Sequence, residues 1–430
     1  MNKVKFEQLQ ETLYYEELPN GLQVYVLPKA GFNKTFATFT TKYGSIDNTF
    51  TPLGKQEKFK VPDGIAHFLE HKLFEDEDGD VFQLFSKQGA SANAFTSFTR
   101  TAYLFSSTMN VKENLETLLN FVQKPYFTDE SVEKEKGIIE QEIKMYEDNP
   151  DWRNYFGLIA NLFEKHPVKI DIAGTVESIH EITKEMLYTC YETFYHPSNM
   201  VFFVVGNINP EQTMTFIREN QGAKEFSEPE KIERFFEEEP KEVFKKEEKI
   251  PMNVNTGKCL VGFKDREPDK QGKDLLKHEL SIQLLLEIMF GQSSKNYQIL
   301  YDEGLIDDSF SFDYSGESGF GFSVIGGDSD KPERLGERLK EMVKAFTEDS
   351  LTEKLIEGVR KKKIGYFLRA LNSPEYIANQ FTRYRFNDMD LFDVIPVLES
   401  INNNDLEVAL REHFVVDTQM SQCIITPKGE

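Results

Sequence analysis

His67, Glu70 and His71 fall within five consecutive residues, His67-Phe68-Leu69-Glu70-His71, in a chain that holds only seven histidines. On a helix, positions i and i+4 project from one face a turn apart, so two imidazole nitrogens can meet one metal ion at about 2.0–2.1 Å each. Glu70 shares that face. A carboxylate there can take a proton from water that a zinc ion acidifies toward a pKa of about 7, the general-base step of peptide hydrolysis. The competing reading of so short a motif is a surface helix with two solvated histidines.

A catalytic zinc takes a third protein ligand and leaves its fourth position to water. The segment from Asp129 to Glu147 offers Glu130, Glu133, Glu135, Glu140, Glu142 and Glu147. At about 100° per residue, Glu135 and Glu142 lie within about 20° of each other around a helix, while Glu140 points nearly opposite to Glu142. One face therefore carries two carboxylates. That is the arrangement of a ligand with a second carboxylate in support; an ordinary solvated acidic face has the same spacing.

The elements that must position these residues are legible in outline. After the punctuation of Pro62-Asp63-Gly64, the span Ile65 to Phe74 has helical spacing, with Ile65, Leu69 and Leu73 at intervals of four. Strands are expected over Gly21–Leu27, Thr35–Thr41, within Ser91–Ser107 and over Met200–Val205, and helices over Glu113–Gln123 and Asp129–Glu147. From 219 to 249 the chain is dense in Glu and Lys, with Pro229 and Pro240, which marks a junction. The later half repeats the order: a strand at Cys259–Phe263, a helix at Leu275–Phe290, strands in Ser309–Ile325, helices at Pro332–Thr347 and Thr352–Leu371, and a closing strand at Gln422–Thr426. The expectation is an α+β chain of two similar domains, each a mainly antiparallel sheet packed against helices. Residues 1–218 form the zinc-binding catalytic domain, 219–249 an acidic linker, and 250–430 a second homologous domain without the zinc motif.

Composition narrows the partners. With 50 Lys and Arg against 73 Asp and Glu, the 430-residue chain carries a formal charge of -23, which argues against nucleic acid or an anionic membrane surface. Cys190, Cys259 and Cys423 are widely spaced and form no C-x-x-C pair, so neither a disulfide framework nor a cysteine zinc site is expected. A reducing, cytoplasmic setting fits this usage. Residues 1–20 hold no apolar core of a secretory leader, and no segment is apolar for long enough to span a bilayer, so no membrane insertion is expected. His166-Pro167 and His196-Pro197 read as loop and turn residues, and His180, His278 and His413 stand isolated in sequence. Lys361-Lys362-Lys363 reads as a solvated helix face.

Taken together, His67-Phe68-Leu69-Glu70-His71, the later Glu135-Lys136-Gly137-Ile138-Ile139-Glu140-Gln141-Glu142, the run Gly89 to Thr96, Ala173-Gly174-Thr175 and the run Phe194 to Met200 cover most of residues 15 to 210. This set resembles the inverted-zincin peptidases, the family of pitrilysin, insulysin and mitochondrial processing peptidase, in its short two-domain bacterial form. The resemblance implies a processing-peptidase-like half clamshell, Zn2+ as cofactor, His67, His71 and Glu142 as ligands, Glu70 as general base and Glu135 as supporting carboxylate. It also implies an edge strand through Asn93, Ala94 and Phe95 that binds substrate. An extended peptide adds to such an edge through main-chain hydrogen bonds, and Asn93 can both donate and accept; the rival role for Asn93 is to cap a turn. The implied activity is zinc metalloendopeptidase action on extended or unfolded peptides, in processing or degradation. The alternative is a non-catalytic structural or peptide-binding subunit of the same fold.

The second half departs from the family pattern. Short members are expected to carry there an Arg and a Tyr, about seven residues apart, that bind the scissile carbonyl and its oxyanion. In the corresponding stretch, Ser293 to Asp307, Tyr301 stands at the Arg position and an acid near the Tyr position. Asp307 would repel an oxyanion, a loss of stabilisation often worth roughly 3–4 kcal/mol. The expected partner is a related subunit that supplies the Arg and Tyr in a heterodimer; the alternative is a homodimer with Lys295 or another cation substituting. Trp152 and Phe156 occupy the places, ten and fourteen positions after Glu142, where mitochondrial processing enzymes carry acids, so a preference for Arg is not expected.

Overall fold

The computed structural model describes residues 1–77, 79–347 and 351–428. It divides into two compact units, Met1–Ile143 with Ile170–Phe236 and Ala370–Phe386, and Lys144–Lys169 with Glu237–Arg369 and Asn387–Glu430. Both are α+β, as expected, with mainly antiparallel sheets.

In the first unit the sheet runs Asn2–Phe6, Glu11–Glu17, Gln23–Pro28, Met200–Gly206, Thr35–Thr41, Thr101–Ser107, Ala90–Thr96. The one parallel pairing is between Gln23–Pro28 and Met200–Gly206. Met200–Gly206 and Thr35–Thr41 are buried along their whole length. Central strands covered on both faces read as unbroken apolar runs, as the MVFFVVG segment does. One cover is the helix Pro374–Phe386, whose Phe381 ring lies 4.8 Å from Tyr25 and 4.6 Å from Phe203. A core that includes Phe39, Phe68, Leu69, Tyr103, Leu118, Phe194 and Phe202 joins the sheet to the helices Ile65–Leu73, Val111–Val122 and Lys184–Phe194.

The second unit's sheet runs Glu247–Met252, Met420–Pro427, Gly257–Lys264, Phe320–Ser329, Ser311–Glu317, again with its one parallel pairing at the first of these junctions. Numbering the strands of each unit along the chain, and setting aside the N-terminal hairpin Asn2–Glu17, both sheets have the order 1-5-2-4-3. The equivalence extends to the helices. Pro374–Phe386 packs on strands five and two of the first sheet, and Pro150–Leu162 packs on strands five and two of the second. Each unit thus takes one covering helix from the other half of the sequence. Gly157 permits the second of these contacts, since a Cβ there would lie 2.7 Å from Cys423 Sγ. Ile65–Leu73 and Gly272–Phe290 occupy matching places, each packed against the outermost strand of its sheet.

Candidate metal centre

The motif helix Ile65–Leu73 is enclosed on most sides, with Ile65, Ala66, Phe68, Leu69, Lys72 and Leu73 buried. Its first turn is set by a close crossing of backbone. Gly64 has φ +88°, and a Cβ on it would lie 2.3 Å from the Ala173 carbonyl oxygen. Gly174 has φ +77° and meets Asp63 in return, while Ser178 Oγ donates to the Asp63 carbonyl at 2.8 Å. Only glycine accepts both the left-handed conformation and the crowding. The Ala173-Gly174-Thr175 loop therefore fixes where the histidine helix begins.

The helix Asp129–Glu147 supplies the carboxylates. Its stripe of Val132, Glu135, Ile139 and Ile143 is buried at helical spacing. Glu140 turns the other way and meets His180 Nε2 at 3.0 Å on the exposed side. Glu142 and Glu135 both reach the histidine pair. Glu142 Oε1 lies 3.8 Å from His67 Nε2 and Glu142 Oε2 lies 3.6 Å from His71 Nε2. The two rings are 4.5 Å apart by centroid and inclined at 65°. One ligand atom from each of His67, His71 and Glu142 falls within 4.8 Å of the others, the one such group among the described residues.

These distances fit a metal better than they fit hydrogen bonds. Neither is short enough for an N–H···O bond. Ligand atoms about 2.0–2.1 Å from a tetrahedral zinc stand about 3.3–3.4 Å apart; here each imidazole lies 3.6–3.8 Å from one oxygen of the Glu142 carboxylate. The protonation state of His67 agrees. Burial, then the neighbouring His71, pulls the His67 pKa down to about 3, so its imidazole is neutral and able to ligate. His67 Nδ1 is buried with no hydrogen-bond partner among the described residues, so nothing on that side of the ring fixes which nitrogen carries the proton. His71 differs, because its Nδ1 lies 3.0 Å from Glu135 Oε1. A proton held on Nδ1 by that carboxylate leaves Nε2 with its lone pair toward Glu142. Burial lowers the His71 pKa, but the Glu135 bond and the charges of Glu70, Glu135 and Glu142 more than offset it, so the net shift is upward.

Glu70 is buried at 8% exposure, and burial raises its pKa against the opposing pull of a Thr96 hydrogen bond. Thr96 Oγ1 donates to Glu70 Oε2 at 2.6 Å. Thr96 was not singled out from the sequence; its place at the end of the edge strand, in register with Thr101, is the signal that would have found it. Asn93, Ala94 and Phe95 lie in that same strand, Ala90–Thr96, the outermost of the sheet, with Asn93 exposed. Asn93 is paired across to Leu104, so it sits within regular strand and not at a turn.

The second unit gathers a different polar group. Asp265 accepts from His413 Nδ1 at 2.5 Å, His278 Nε2 at 3.1 Å and the Tyr314 hydroxyl at 2.5 Å, and His413 Nε2 lies 2.8 Å from Ser323 Oγ. Burial alone would raise the Asp265 pKa, yet the two histidines hold it well below the usual carboxylate range. Gly321 leaves room for the carboxylate, since a Cβ there would meet Asp265 Oδ2 at 2.2 Å. The Ser–His–Asp line has the order of a nucleophilic triad. Ser323 and His413 are fully buried, however, so no acyl substrate reaches the hydroxyl, and the cluster is a structural knot. Two histidines isolated in sequence thus converge on one carboxylate. Tyr301 is exposed on the helix Lys295–Asp302, and Asp307 caps its own turn by accepting from Ser309 N at 2.8 Å and Ser309 Oγ at 2.6 Å. The three cysteines are buried free thiols, and no helix among the described residues is long and apolar enough to cross a membrane.

Comparison with known proteins agrees with this geometry. Residues 56–176 match the family described as insulinase (peptidase family M16), and residues 181–363 match the one described as the peptidase M16 inactive domain. A Bacillus subtilis protein described as the uncharacterized zinc protease YmfH is 63% identical over 426 residues, 99% of each chain. A crystal structure of an M16-like peptidase from Alicyclobacillus acidocaldarius superposes with a TM-score of 0.94 at 40% identity, over 97% of this chain and 99% of that one. A Helicobacter pylori protease shares the fold, with a TM-score of 0.80 at 19% identity over 96% and 99% of the two chains. A metal-competent histidine pair and carboxylate on the first of two like units, with near-full-length identity to a relative named as a zinc protease, place this chain in the M16 peptidase family.

Proposed function

We propose that the protein is a zinc metalloendopeptidase acting on extended or unfolded peptides, and that it is the zinc-bearing subunit of a two-subunit enzyme. The observation that carries the first part is the convergence of His67 Nε2, His71 Nε2 and Glu142 at 3.6–3.8 Å, beside a buried glutamate that is not one of the three. His67, His71 and Glu142 would hold the ion. A bound zinc supplies Lewis acidity, lowering the pKa of water toward about 7 and polarising a carbonyl. Glu70 takes a proton from the attacking water and passes it to the leaving amine. Glu135 orients His71 through the 3.0 Å bond. The outer edge of Ala90–Thr96 binds substrate backbone as an added strand, with Asn93 as a side-chain contact.

The second part rests on the later half. Tyr301 carries no positive charge to bind a carbonyl oxygen, and Asp307 is an acid near the position where the family is expected to carry its oxyanion-binding Tyr. Its capping bonds to Ser309 hold that acid ionised, with its pKa lowered. A related subunit would supply the Arg and Tyr. The test is cleavage of an unstructured peptide pool by zinc-loaded protein, alone and with related subunits, with Glu70→Gln as control. Turnover only with a partner supports the divided site. Full turnover by the chain alone overturns the divided site, and none under any pairing supports the non-catalytic alternative.

A further inference from the structure

Glu70 is gripped from the strand that would carry the substrate. Thr96, the last residue of Ala90–Thr96, donates its hydroxyl to Glu70 Oε2 at 2.6 Å. Directly across the sheet stands Thr101, in register with Thr96, with the two hydroxyl oxygens 3.3 Å apart. Thr101 Oγ1 donates to the Tyr43 carbonyl at 2.9 Å. The single Thr101 proton is thereby committed, so its oxygen faces Thr96 as an acceptor. Thr96 then has one proton and two places to send it, and the carboxylate wins on both distance and charge.

The frame around Thr96 is tertiary. After it the chain reverses through Ser97–Arg100, closed by Ser97 N to the Arg100 carbonyl at 2.8 Å. This turn is pinned to the loop after Tyr43 by Ser45 N to the Ser97 carbonyl at 3.0 Å and Ile46 N to the Phe98 carbonyl at 3.1 Å. Gly44 permits that approach, since a Cβ on it would lie 2.4 Å from the Phe98 carbonyl. The loop is held in turn by Asp47, which accepts from Gly44 N at 2.9 Å and pairs with Arg234 at 2.8 Å. Thr96 therefore presents its donor from a braced position.

We propose that Thr96 is a positioning residue for peptide hydrolysis: its hydroxyl fixes the orientation of the Glu70 carboxylate, so that the strand on which substrate docks and the group that moves the proton form one rigid piece. This rests on the peptidase reading above. A conservative series tests it, with Thr96→Val as the near-isosteric loss of the hydroxyl and Thr96→Ser as its retention. Each zinc-loaded variant is assayed with whichever partner the wild type requires, reading kcat and KM separately, zinc affinity by chelator competition and the unfolding midpoint. Thr96→Val is expected to lower kcat about 10- to 100-fold, the range in which small misplacements of a catalytic group fall. KM and zinc affinity are expected to stay within about twofold of wild type, with Thr96→Ser restoring most of kcat. Wild-type kcat in Thr96→Val, or a loss in Thr96→Ser as large as in Thr96→Val, overturns the proposal. A wild type that cleaves nothing under any pairing removes the peptidase reading itself. A turnover-independent readout separates the two failures: Thr96→Val should shift the unfolding midpoint less in a Glu70→Gln background than in wild type, and equal shifts would mean that Thr96 does not hold Glu70.

Discussion

Replacing Glu135 by Gln keeps the side chain's size and removes the charge behind His71. The contact at stake is the 3.0 Å bond from His71 Nδ1 to a carboxylate whose side chain is only 7% exposed. A hydrogen bond to a charged group contributes about 1.5–3 kcal/mol, and at about 1.4 kcal/mol per factor of ten this is about 10- to 150-fold in Kd. His71 itself is 27% exposed, so solvent screening favours the lower part of that range, roughly 10- to 30-fold. Loss of the outer partner of a metal-binding histidine typically costs about 10- to 100-fold, which contains that range. Glu135→Gln is therefore expected to weaken zinc binding at pH 8 by roughly 10- to 30-fold in competition with a chromophoric chelator. The penalty also depends on pH. Zinc and a proton compete for His71 Nε2, and the wild-type His71 pKa is raised above its ordinary 6.5. Wild-type affinity thus begins to fall at a higher pH than that of the variant, and the gap narrows as the pH is lowered toward about 6. Glu140→Gln, on the opposite face with His180, serves as the control and should bind like wild type. Wild-type affinity in a folded Glu135→Gln variant at pH 8 would refute the supporting role.

Two further substitutions test the frame. Gly64→Ala forces a left-handed backbone, at about 1–3 kcal/mol, and drives a Cβ against the Ala173 carbonyl 2.3 Å away. Urea unfolding should show a loss of roughly 2–6 kcal/mol with overpacking included, and an unchanged midpoint would refute the crossing. Asp265→Asn removes the charge and one of the two acceptor oxygens that His413, His278 and Tyr314 share, and is expected to cost about 3–5 kcal/mol of stability. Because the Asp265 pKa is held below its unfolded value, its contribution is fully present above that value and lost as the pH falls below about 4. The wild type and Asp265→Asn should therefore differ by a constant amount above about pH 5 and converge in acid. A gap that widens in acid would contradict the assignment of an ionised Asp265.

How much of this was legible depended on how local each feature is. Helical period and capping are carried by neighbours in sequence, so Asp129–Glu147 emerges with its expected bounds and the motif helix ends one residue before the expected Phe74. The opposition of Glu140 to Glu142 followed from rotation per residue alone, and the two now face His180 and the histidine pair. The hairpin Asn2–Glu17 is hard to read because its outer strand is exposed and its inner strand is of mixed polarity without a clean apolar alternation. The placing of Met200–Gly206 between Gln23–Pro28 and Thr35–Thr41 was not readable, because pairing between strands distant in sequence leaves no local mark. Nor was the exchange of covering helices, since Asp129–Glu147 runs unbroken across the boundary between units at Ile143 and Lys144. His278 and His413 reach Asp265 across 13 and 148 residues. Such convergence is a property of the sheet order, which no motif spells out.

The central claim is that His67, His71 and Glu142 bind one zinc ion. Its most direct test is metal analysis of purified protein together with anomalous X-ray scattering at the zinc edge, on wild type and on Glu70→Gln. One zinc per chain, with its anomalous peak bounded by these three side chains in both proteins, is the predicted result. Folded wild-type protein that takes up no zinc, or a peak located elsewhere in the chain, would contradict the account.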